Sequence, residues 1–315
     1  MQVIFNFQKG FAALEEGLQA CGCAVLANRW EPSEAELAQT AACIVNFYEG
    51  VRQPWRAWRL KRRLQRHGIP LLGIARDAPW HMGIRARRLW LFSWLRPLDI
   101  YASHTLQPDR VFAPEKIYLA NAAWVRHYHL HGMTLEAMRQ PEFYRYDVSF
   151  VGNLDGQRYR EHRERAGFFA ELERRLGEVG ISCLFRNAHG LTPGEQIDII
   201  QRSRINLNVH AAADHGGERS WGLPERCYGV PACGGFLLSD PRHHACDDFD
   251  LATEWAEFRD LDDCVARIRH YLAHPFEARA VAEAAHRRVM RDHTYERRAA
   301  SLLAAIARWK EEYGK

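Results

Sequence analysis

Residues 204–240 read RINLNVHAAADHGGERSWGLPERCYGVPACGGFLLSD, and this stretch decides the fold class. Its pattern predicts a strand at Ile205–Val209, a glycine-containing loop, a helix at Pro224–Ala232 and a second strand at Phe236–Ser239. Glycines in the loop permit a ligand to approach the backbone closely. A strand–loop–helix–strand unit of this kind is typical of a doubly wound α/β domain, whose ligands bind at the carboxyl ends of the strands.

The start of the predicted helix has the features of an anion site. Pro224 suits the first helical turn, where its missing N–H costs nothing. Free N–H groups and the positive end of the helix dipole would attract an anion, and Arg219 and Arg226 flank the helix start. The same features also fit an ordinary crossover that carries surface arginines, and the pattern leaves both interpretations open.

Polar residues alternate along the first of these strands. Asn206, Asn208 and His210 lie on one face because successive side chains of a strand point to opposite sides. Polar groups on an apolar strand need protein partners or a ligand. We expect His210, at the carboxyl end, to bind a sugar or phosphate rather than to act as a base.

The rest of the chain shows two series of alternating strands and helices, which predict parallel sheets. The sequence therefore predicts an N-terminal domain over residues 1–140 and a C-terminal domain over residues 147–295, with an irregular connection at Trp124–Tyr146. The N-terminal strands are expected at Val3–Phe7, Ala24–Ala27, Ile44–Tyr48, Leu71–Ala75, Ile100–Ser103 and Ile117–Ala120. The C-terminal domain is expected to open with the strand Val148–Val151.

Composition fits two ordinary globular domains. The 315 residues are 47% hydrophobic and 26% charged, with a formal net charge of +4, so a nucleic-acid partner is not expected. The eight cysteines lie mostly in apolar runs and lack zinc-site spacing, which indicates buried free thiols. No apolar run reaches the roughly 18 residues of a membrane span. We expect a cytoplasmic protein without a secretory signal.

Three motifs resemble those of the CgeB-like glycosyltransferases. Residues 226–240 are similar to the family pattern R-x-F-E-x-P-A-C-G-G-F-L-L-x-D, residues 147–153 to its opening strand, and residues 292–298 to its closing H-T-Y-x-x-R. The resemblance covers about residues 147–303, and the N-terminal half matches only through Asp77-Ala-Pro79. It implies a GT-B fold, with two Rossmann-like domains facing a central cleft. It also implies that helix 296–315 packs back on the N-terminal domain.

The resemblance implies a donor site for a nucleotide sugar in the C-terminal domain. The turn at Gly152 and Asn153 would face the diphosphate. Gly229 stands where the family has a glutamate that is expected to hold the ribose hydroxyls. Glu225, one helical turn earlier, could replace that carboxylate or could simply be an acid near a helix start. The donor-binding residues are therefore expected to be Gly152, Asn153, Asn208, His210, Arg219, Gly222, Glu225 and Arg226.

Catalytic residues are expected in both domains. Asp77 and His81 follow the strand Leu71–Ala75, where either could act as acid or base on an acceptor hydroxyl, although a plain surface loop fits equally. Arg226 would stabilise the departing nucleoside diphosphate. Asp248 and Asp250 form a D-x-D pattern that we interpret as a solvated acidic turn. We expect no metal and no cofactor besides the nucleotide-sugar co-substrate.

The sequence thus predicts a metal-independent glycosyltransferase, a hexosyl- or related transferase, acting on a glycan or lipid-linked acceptor. The glycine at 229 leaves open an inactive binding protein of the same fold, and the arginine-rich segments leave open a DNA-modifying glycosyltransferase. Residues 54–66 and 85–96 mix tryptophan with arginine. For either helix alone, the expected arrangement is that the tryptophans pack inward while the arginines are solvated. The presence of two such helices leaves open peripheral contact at the inner face of a membrane, or an anionic acceptor.

Overall fold

The structure is a computed structural model that describes residues 1–76, 85–106, 112–155, 160–209 and 221–313. The chain divides into two compact units. Unit 1 holds the described residues of 1–120 together with the C-terminal helix that begins at Tyr295, and unit 2 holds those of 121–294. None of the helices in these ranges has the length and apolar character that crossing a bilayer requires.

Unit 1 is built from strands and helices that alternate along the chain, and its strands form one parallel sheet. The sheet has the strand order β2-β1-β3-β4-β5-β6, and each recorded pairing is parallel. Its elements are β1 (Gln2–Asn6), α1 (Ala12–Ala20), β2 (Ala24–Ala27), α2 (Glu34–Gln39), β3 (Thr40–Asn46), α3 (Phe47–Arg52), α4 (Pro54–Gln65), β4 (Leu71–Ala75), α5 (Ala86–Leu95), β5 (Ile100–Ser103) and β6 (Glu115–Tyr118).

The central strands of unit 1 are buried on both faces. β3 reads TAACIVN and β4 reads LLGIA, and nearly every residue of both is buried. Continuous apolar runs of this kind form parallel strands because helices cover both sides of the sheet.

Unit 2 is a second α/β unit, with a smaller sheet of four strands. Its sheet has the order β10-β9-β7-β8, again with parallel pairings. The elements are β7 (Tyr146–Gly152), α6 (Arg160–Gly177), β8 (Cys183–Asn187), α7 (Pro193–Gln201), β9 (Ser203–Asn208), α8 (Arg226–Ala232), β10 (Leu237–Ser239), α9 (Ala245–Asp248), α10 (Leu261–Ala273) and α11 (Pro275–Asp292). Because all four strands run the same way, the ends of β7, β9 and β10 lie at one edge of the sheet.

The last helix, α12 (Tyr295–Tyr313), belongs to unit 1. It packs against α1 so closely that a Cβ placed on Gly17 would lie 2.5 Å from the carbonyl oxygen of Tyr295. The Arg298 side chain donates from Nε to the carbonyl oxygen of Ala120, 3.0 Å away. The chain therefore returns to the unit in which it began.

The α/β class with parallel sheets, predicted from the sequence, is confirmed. The strand predicted at Ile44–Tyr48 was wrong at its end: β3 stops at Asn46, and Phe47 begins α3. Asn46 Oδ1 accepts a hydrogen bond from the Tyr48 N–H at 3.0 Å, so this side chain caps a helix within an apolar run.

Candidate functional site

A partly buried guanidinium links the ends of two strands in unit 2. Arg226, the first residue of α8, donates from Nε to the Val151 carbonyl (3.1 Å) and from Nη1 to Asn208 Oδ1 (2.7 Å). Its guanidinium carbon lies 4.4 Å from the centre of the Phe150 ring. Arg226 is thus held at the carboxyl ends of β7 and β9.

Gly152 makes room for this guanidinium. A Cβ at position 152 would lie 2.3 Å from Arg226 Nη2 and 2.6 Å from Phe150 Cζ. Any larger residue would therefore displace the Arg226 head group or the ring beneath it. This is a specific reason for glycine at the end of β7.

A second arginine reaches the same place from α6. Arg165 is only 4% exposed, donates from Nη1 to the Asn153 carbonyl at 3.0 Å, and lies 5.8 Å from the Phe150 ring centre. Among the described residues, its buried Nε has no hydrogen-bond partner. Burial, and then repulsion by Arg226, lowers the pKa of the Arg165 guanidinium to about 9, while Asp240 acts in the opposite direction. Burial likewise lowers the pKa of Arg226.

A third arginine belongs to a buried polar network after β10. Arg242 Nη2 donates to Asp240 Oδ2 at 2.6 Å, and both residues are buried. Asn208 Nδ2 donates to Asp240 Oδ1 (3.0 Å) and to Ser239 Oγ (2.9 Å). Asn208, with no exposed surface, therefore positions Arg226 through its Oδ1 and Asp240 through its Nδ2.

The electrostatic result is a site that favours an anion. Within the described residues, the recorded hydrogen bonds of Arg165 and Arg226 go only to neutral carbonyl and amide oxygens. Cations removed from water need a counter-charge or many hydrogen bonds. A phosphate group supplies both, because its oxygens accept short charge-assisted bonds from guanidinium groups.

A cavity of about 250 Å³ opens beside these arginines within unit 2. It is lined at the end of β7 by Gly152, beyond β8 by Ala188, on α7 by Gln196, and at the start of α8 by Glu225 and Arg226. Tyr128 forms a further wall. The cavity thus combines a cationic end with a partly apolar lining, which is the usual character of a small-molecule site.

Tyr128 occupies the space in front of Gly229. A Cβ at position 229 would lie 3.0 to 3.1 Å from three carbons of the Tyr128 ring. Burial, and then the charge of Glu225, raises the pKa of Tyr128 to about 12. The tyrosine ring therefore takes the room that a larger residue at 229 would need, and Glu225 is the carboxylate on this part of the cavity wall.

The helix start differs from the expected anion site. α8 begins at Arg226 rather than Pro224 and spans seven residues, with Glu225 at its N-cap position. The Glu225 side chain makes no capping hydrogen bond there. Because a carboxylate stands at the positive end of this short helix, the positive charge of the site comes from the arginines rather than from the helix dipole.

The other expected site residues fall into two groups. Asn153 is exposed, and its Oδ1 accepts from the Asp155 N–H at 2.8 Å, while Gly222 is buried just before α8. Asn206, on the same face as Asn208, is satisfied by Ser149 Oγ and by the carbonyls of Ile200 and Phe236. The remaining expected residues lie outside the described residues: Asp77, His81, His210 and Arg219.

The interpretation of Asp248 and Asp250 as a solvated turn was wrong for Asp248. This residue is 3% exposed and accepts a hydrogen bond from the Tyr228 hydroxyl, because α9 turns it into the core. Asp250 accepts from Ala252 N and Thr253 Oγ1. Within the described ranges, the side chains that could share a metal ion are instead His270, His274 and Glu277, at the junction of α10 and α11.

Sequence reasoning missed Arg165, Arg242 and Tyr128. A signal for Arg165 was available, because it shares the helical spacing of Phe169, Leu172 and Leu176, the buried face of α6. An arginine on the apolar face of a helix needs a specific reason. Tyr128 lies in a stretch without periodicity and gave no comparable signal.

Each of the two α/β units has a parallel sheet, and one of them has a cationic cavity at the ends of its strands. Together with the similarities to known proteins given next, these features define a GT-B glycosyltransferase. The sequence profile described as "Glycosyl transferase-like" matches residues 126–304, more than half of the chain. The chain belongs to this glycosyl transferase-like family. No curated protein matches it in sequence.

Solved structures share the fold over nearly the whole chain. Sucrose-phosphate synthase from Thermosynechococcus elongatus is 12% identical with a TM-score of 0.66, covering 99% of this chain and 100% of its own. HepE from Anabaena, in complex with UDP and glucose, is 10% identical with a TM-score of 0.61, covering 98% and 100%. A UDP-forming trehalose-phosphate synthase from Burkholderia xenovorans is 11% identical with a TM-score of 0.58, covering 97% and 98%. The GT-B fold expected from the sequence is thereby confirmed.

Proposed function

We propose that this glycosyltransferase takes its sugar from a nucleoside diphosphate donor bound in the unit 2 cavity, with arginine side chains rather than a metal ion on the diphosphate. The observation that carries the proposal is the pair Arg165 and Arg226, two guanidinium groups held against Phe150 whose recorded hydrogen bonds go to neutral oxygens. A cationic pair at the ends of parallel strands, hydrogen-bonded only to neutral oxygens among the described residues, favours a phosphate ligand.

The two ends of the cavity suit different parts of the donor, the diphosphate and the nucleoside. The diphosphate would meet Arg226 and Arg165 near Gly152, while the nucleoside would enter the space between Ala188, Gln196 and Tyr128. Glu225 would accept hydrogen bonds from the ribose hydroxyls. The related structures of HepE, which hold UDP, UDP with glucose or UDP-glucose, support a uridine nucleotide as the first donor to test.

The arginines would promote sugar transfer by stabilising the charge of the leaving diphosphate. When the sugar leaves, negative charge grows on the diphosphate, and fixed guanidinium groups stabilise that charge without reorganisation. Asp77 and His81 remain our candidates for an acid or base toward the acceptor, and His210 and Arg219 for additional donor contacts. The acceptor is proposed to be a glycan or a lipid-linked precursor, and the family membership is proposed to be CgeB-like.

Calorimetric titration with UDP and with uridine tests the donor site. We expect UDP to bind at least about tenfold more tightly than uridine, because one charge-assisted hydrogen bond contributes roughly 1.5–3 kcal/mol. Arg165→Met should lower the ratio of the UDP affinity to the uridine affinity about tenfold. The substitution removes the charge and keeps an apolar side chain near Phe150.

The matched control is Arg163→Met, an exposed arginine of the same helix. It should leave both affinities unchanged. Equal binding of UDP and uridine by the wild-type protein would contradict the proposal. So would an identical effect of the two arginine variants.

A further inference from the structure

Two neighbouring helices of unit 1 carry a large excess of positive charge. Residues 52–66 and 85–96, which contain α4 and α5, hold eleven lysines or arginines and no aspartate or glutamate. The whole chain has a formal net charge of only +4, so the remainder is net negative. The positive charge is therefore concentrated on one part of unit 1.

The exposed face of α4 combines an indole with a row of arginines. Trp55 is 52% exposed, and Arg59, Arg62 and Arg66 follow it at spacings of four, seven and eleven residues, which place them on one helical face. The opposite face, with Leu60 and Leu64, is buried in the core. This helix is amphipathic, yet its outer face carries a large aromatic side chain.

The exposed face of α5 repeats the combination. Trp90 and Trp94 are 67% and 63% exposed, and their rings stack with centroids 6.5 Å apart. Arg87 and Arg88 lie exposed on the preceding turn. Phe92 points inward instead and meets Phe47 with ring centroids 5.3 Å apart, so α5 is anchored by one face and presents the other.

The charge on these faces is not neutralised by the described part of the protein. Arg63 pairs with Glu34 at 2.8 Å and Lys61 pairs with Asp99. The arginines of the exposed faces, by contrast, have no recorded ion pair among the described residues: Arg59, Arg62, Arg66, Arg87 and Arg88. Exposed arginines without an ion pair among the described residues, on helices that also expose tryptophans, indicate an external anionic partner with an apolar layer.

We propose that these faces of α4 and α5 bind the surface of a bilayer that contains anionic lipids. Indole rings prefer the boundary between head groups and acyl chains, while guanidinium groups pair with lipid phosphates. A nucleic-acid duplex offers phosphates but no apolar layer for three exposed indoles, so the lipid surface fits better. The proposal does not depend on the donor chemistry of unit 2.

Co-sedimentation of the full chain with vesicles tests this surface. Vesicles of phosphatidylcholine alone are compared with vesicles that also contain phosphatidylglycerol, at low and at high salt. We expect binding to the anionic vesicles at low salt, weakened by high salt. Arg62→Gln should lower the partition coefficient about fivefold, and Trp90→Ser with Trp94→Ser at least about tenfold.

Arg269→Gln on α10 is the matched control, because it removes the same charge from an exposed helical arginine far from any tryptophan in sequence. It should leave vesicle binding unchanged, and circular dichroism should show the same fold for all variants. Absence of binding to anionic vesicles at low salt would overturn the proposal. An equal loss with Arg269→Gln would also overturn it, as would tighter binding to duplex DNA that the tryptophan variants leave unaltered.

Discussion

At the scale of single residues, the arginines around Phe150 matter most. Arg165 and Arg226 approach the ring at 5.8 and 4.4 Å, and Asp240 with Arg242 completes the polar network through Asn208. Each of these contacts fixes a guanidinium before any ligand arrives. Pre-positioned charge of this kind lowers the cost of binding a diphosphate and of stabilising it as it leaves.

Glu225 provides the first prediction at this scale. If its carboxylate accepts hydrogen bonds from the ribose diol, Glu225→Gln should weaken UDP binding by about tenfold or more, since charged acceptors contribute roughly 1.5–3 kcal/mol. A 2′,3′-dideoxy analogue of UDP, titrated in parallel, should lose almost nothing because it has no diol. Equal losses for both nucleotides would mean that Glu225 supports the local fold and does not recognise ribose.

The residue-level site was only partly predictable from the sequence. Arg226 was proposed because it opens the motif at 226–240, and Glu225 because it lies one helical turn before Gly229; both line the cavity of unit 2. Arg165 was missed although its helical spacing places it on the buried face of α6, because that spacing indicates burial and does not say which distant element the guanidinium meets. Asp248 was misread for a related reason: four acidic residues in 247–254 look solvated, yet the short helix α9 turns this one toward Tyr228.

At the scale of elements, apolar runs predicted most strands because parallel strands are buried on both faces. The strands Ala24–Ala27, Leu71–Ala75 and Ile100–Ser103 were placed to the residue. The end of β3 was not, since Phe47 and Tyr48 continue the apolar run and only the capping by Asn46 turns them into a helix. The apolar character of Phe47 and Tyr48 predicts that they are buried. The hydrogen bond from the Tyr48 N–H to Asn46 Oδ1 is what marks them as the start of a helix rather than the end of a strand.

Two helical glycines give a matched prediction about packing. A Cβ added to Gly17 of α1 would lie 2.5 Å from the carbonyl oxygen of Tyr295. A Cβ added to Gly167 of α6 would meet no described atom within 4 Å. Gly17→Ala should therefore lower the free energy of unfolding by about 1–3 kcal/mol, because the backbone cannot yield cheaply. Gly167→Ala should raise it by about 0.5–1 kcal/mol through helix propensity.

Urea unfolding followed by circular dichroism measures both changes. The two substitutions add the same methyl group to a helix, so propensity alone would stabilise both variants. Stabilisation by Gly17→Ala would contradict the close packing of α12 on α1. It would also remove the structural reason for glycine at that position.

At the scale of the whole molecule, the cationic groups occur in two different settings. Unit 2 holds Arg226 on its cavity wall, with Arg165 nearby, and both are fixed by neutral oxygens, which suits a small anion. Unit 1 holds arginines on exposed helix faces beside tryptophans, which suits an extended surface. A donor site in one unit and a surface for the acceptor's environment in the other would fit a transferase acting on a lipid-linked substrate.

Chelation tests how the diphosphate is stabilised. If Arg165 and Arg226 stabilise the diphosphate as proposed, sugar transfer should be unchanged in excess EDTA. Asp248 is engaged by Tyr228 and Asp250 by its own turn, so neither is arranged as a metal ligand. A strong loss of turnover in EDTA that manganese or magnesium restores would show that a cation does this work.

The most direct test of the central claim is the release of nucleoside diphosphate from a panel of nucleotide sugars, measured for the wild-type chain and for Arg226→Met. We expect the wild-type protein to turn over at least one UDP-sugar. We expect Arg226→Met, still folded by circular dichroism, to lose about 10²–10³-fold in kcat/KM, as for the removal of one donor that stabilises developing charge. Turnover of no nucleotide sugar, or equal turnover by the two proteins, would contradict a donor site built around Arg226.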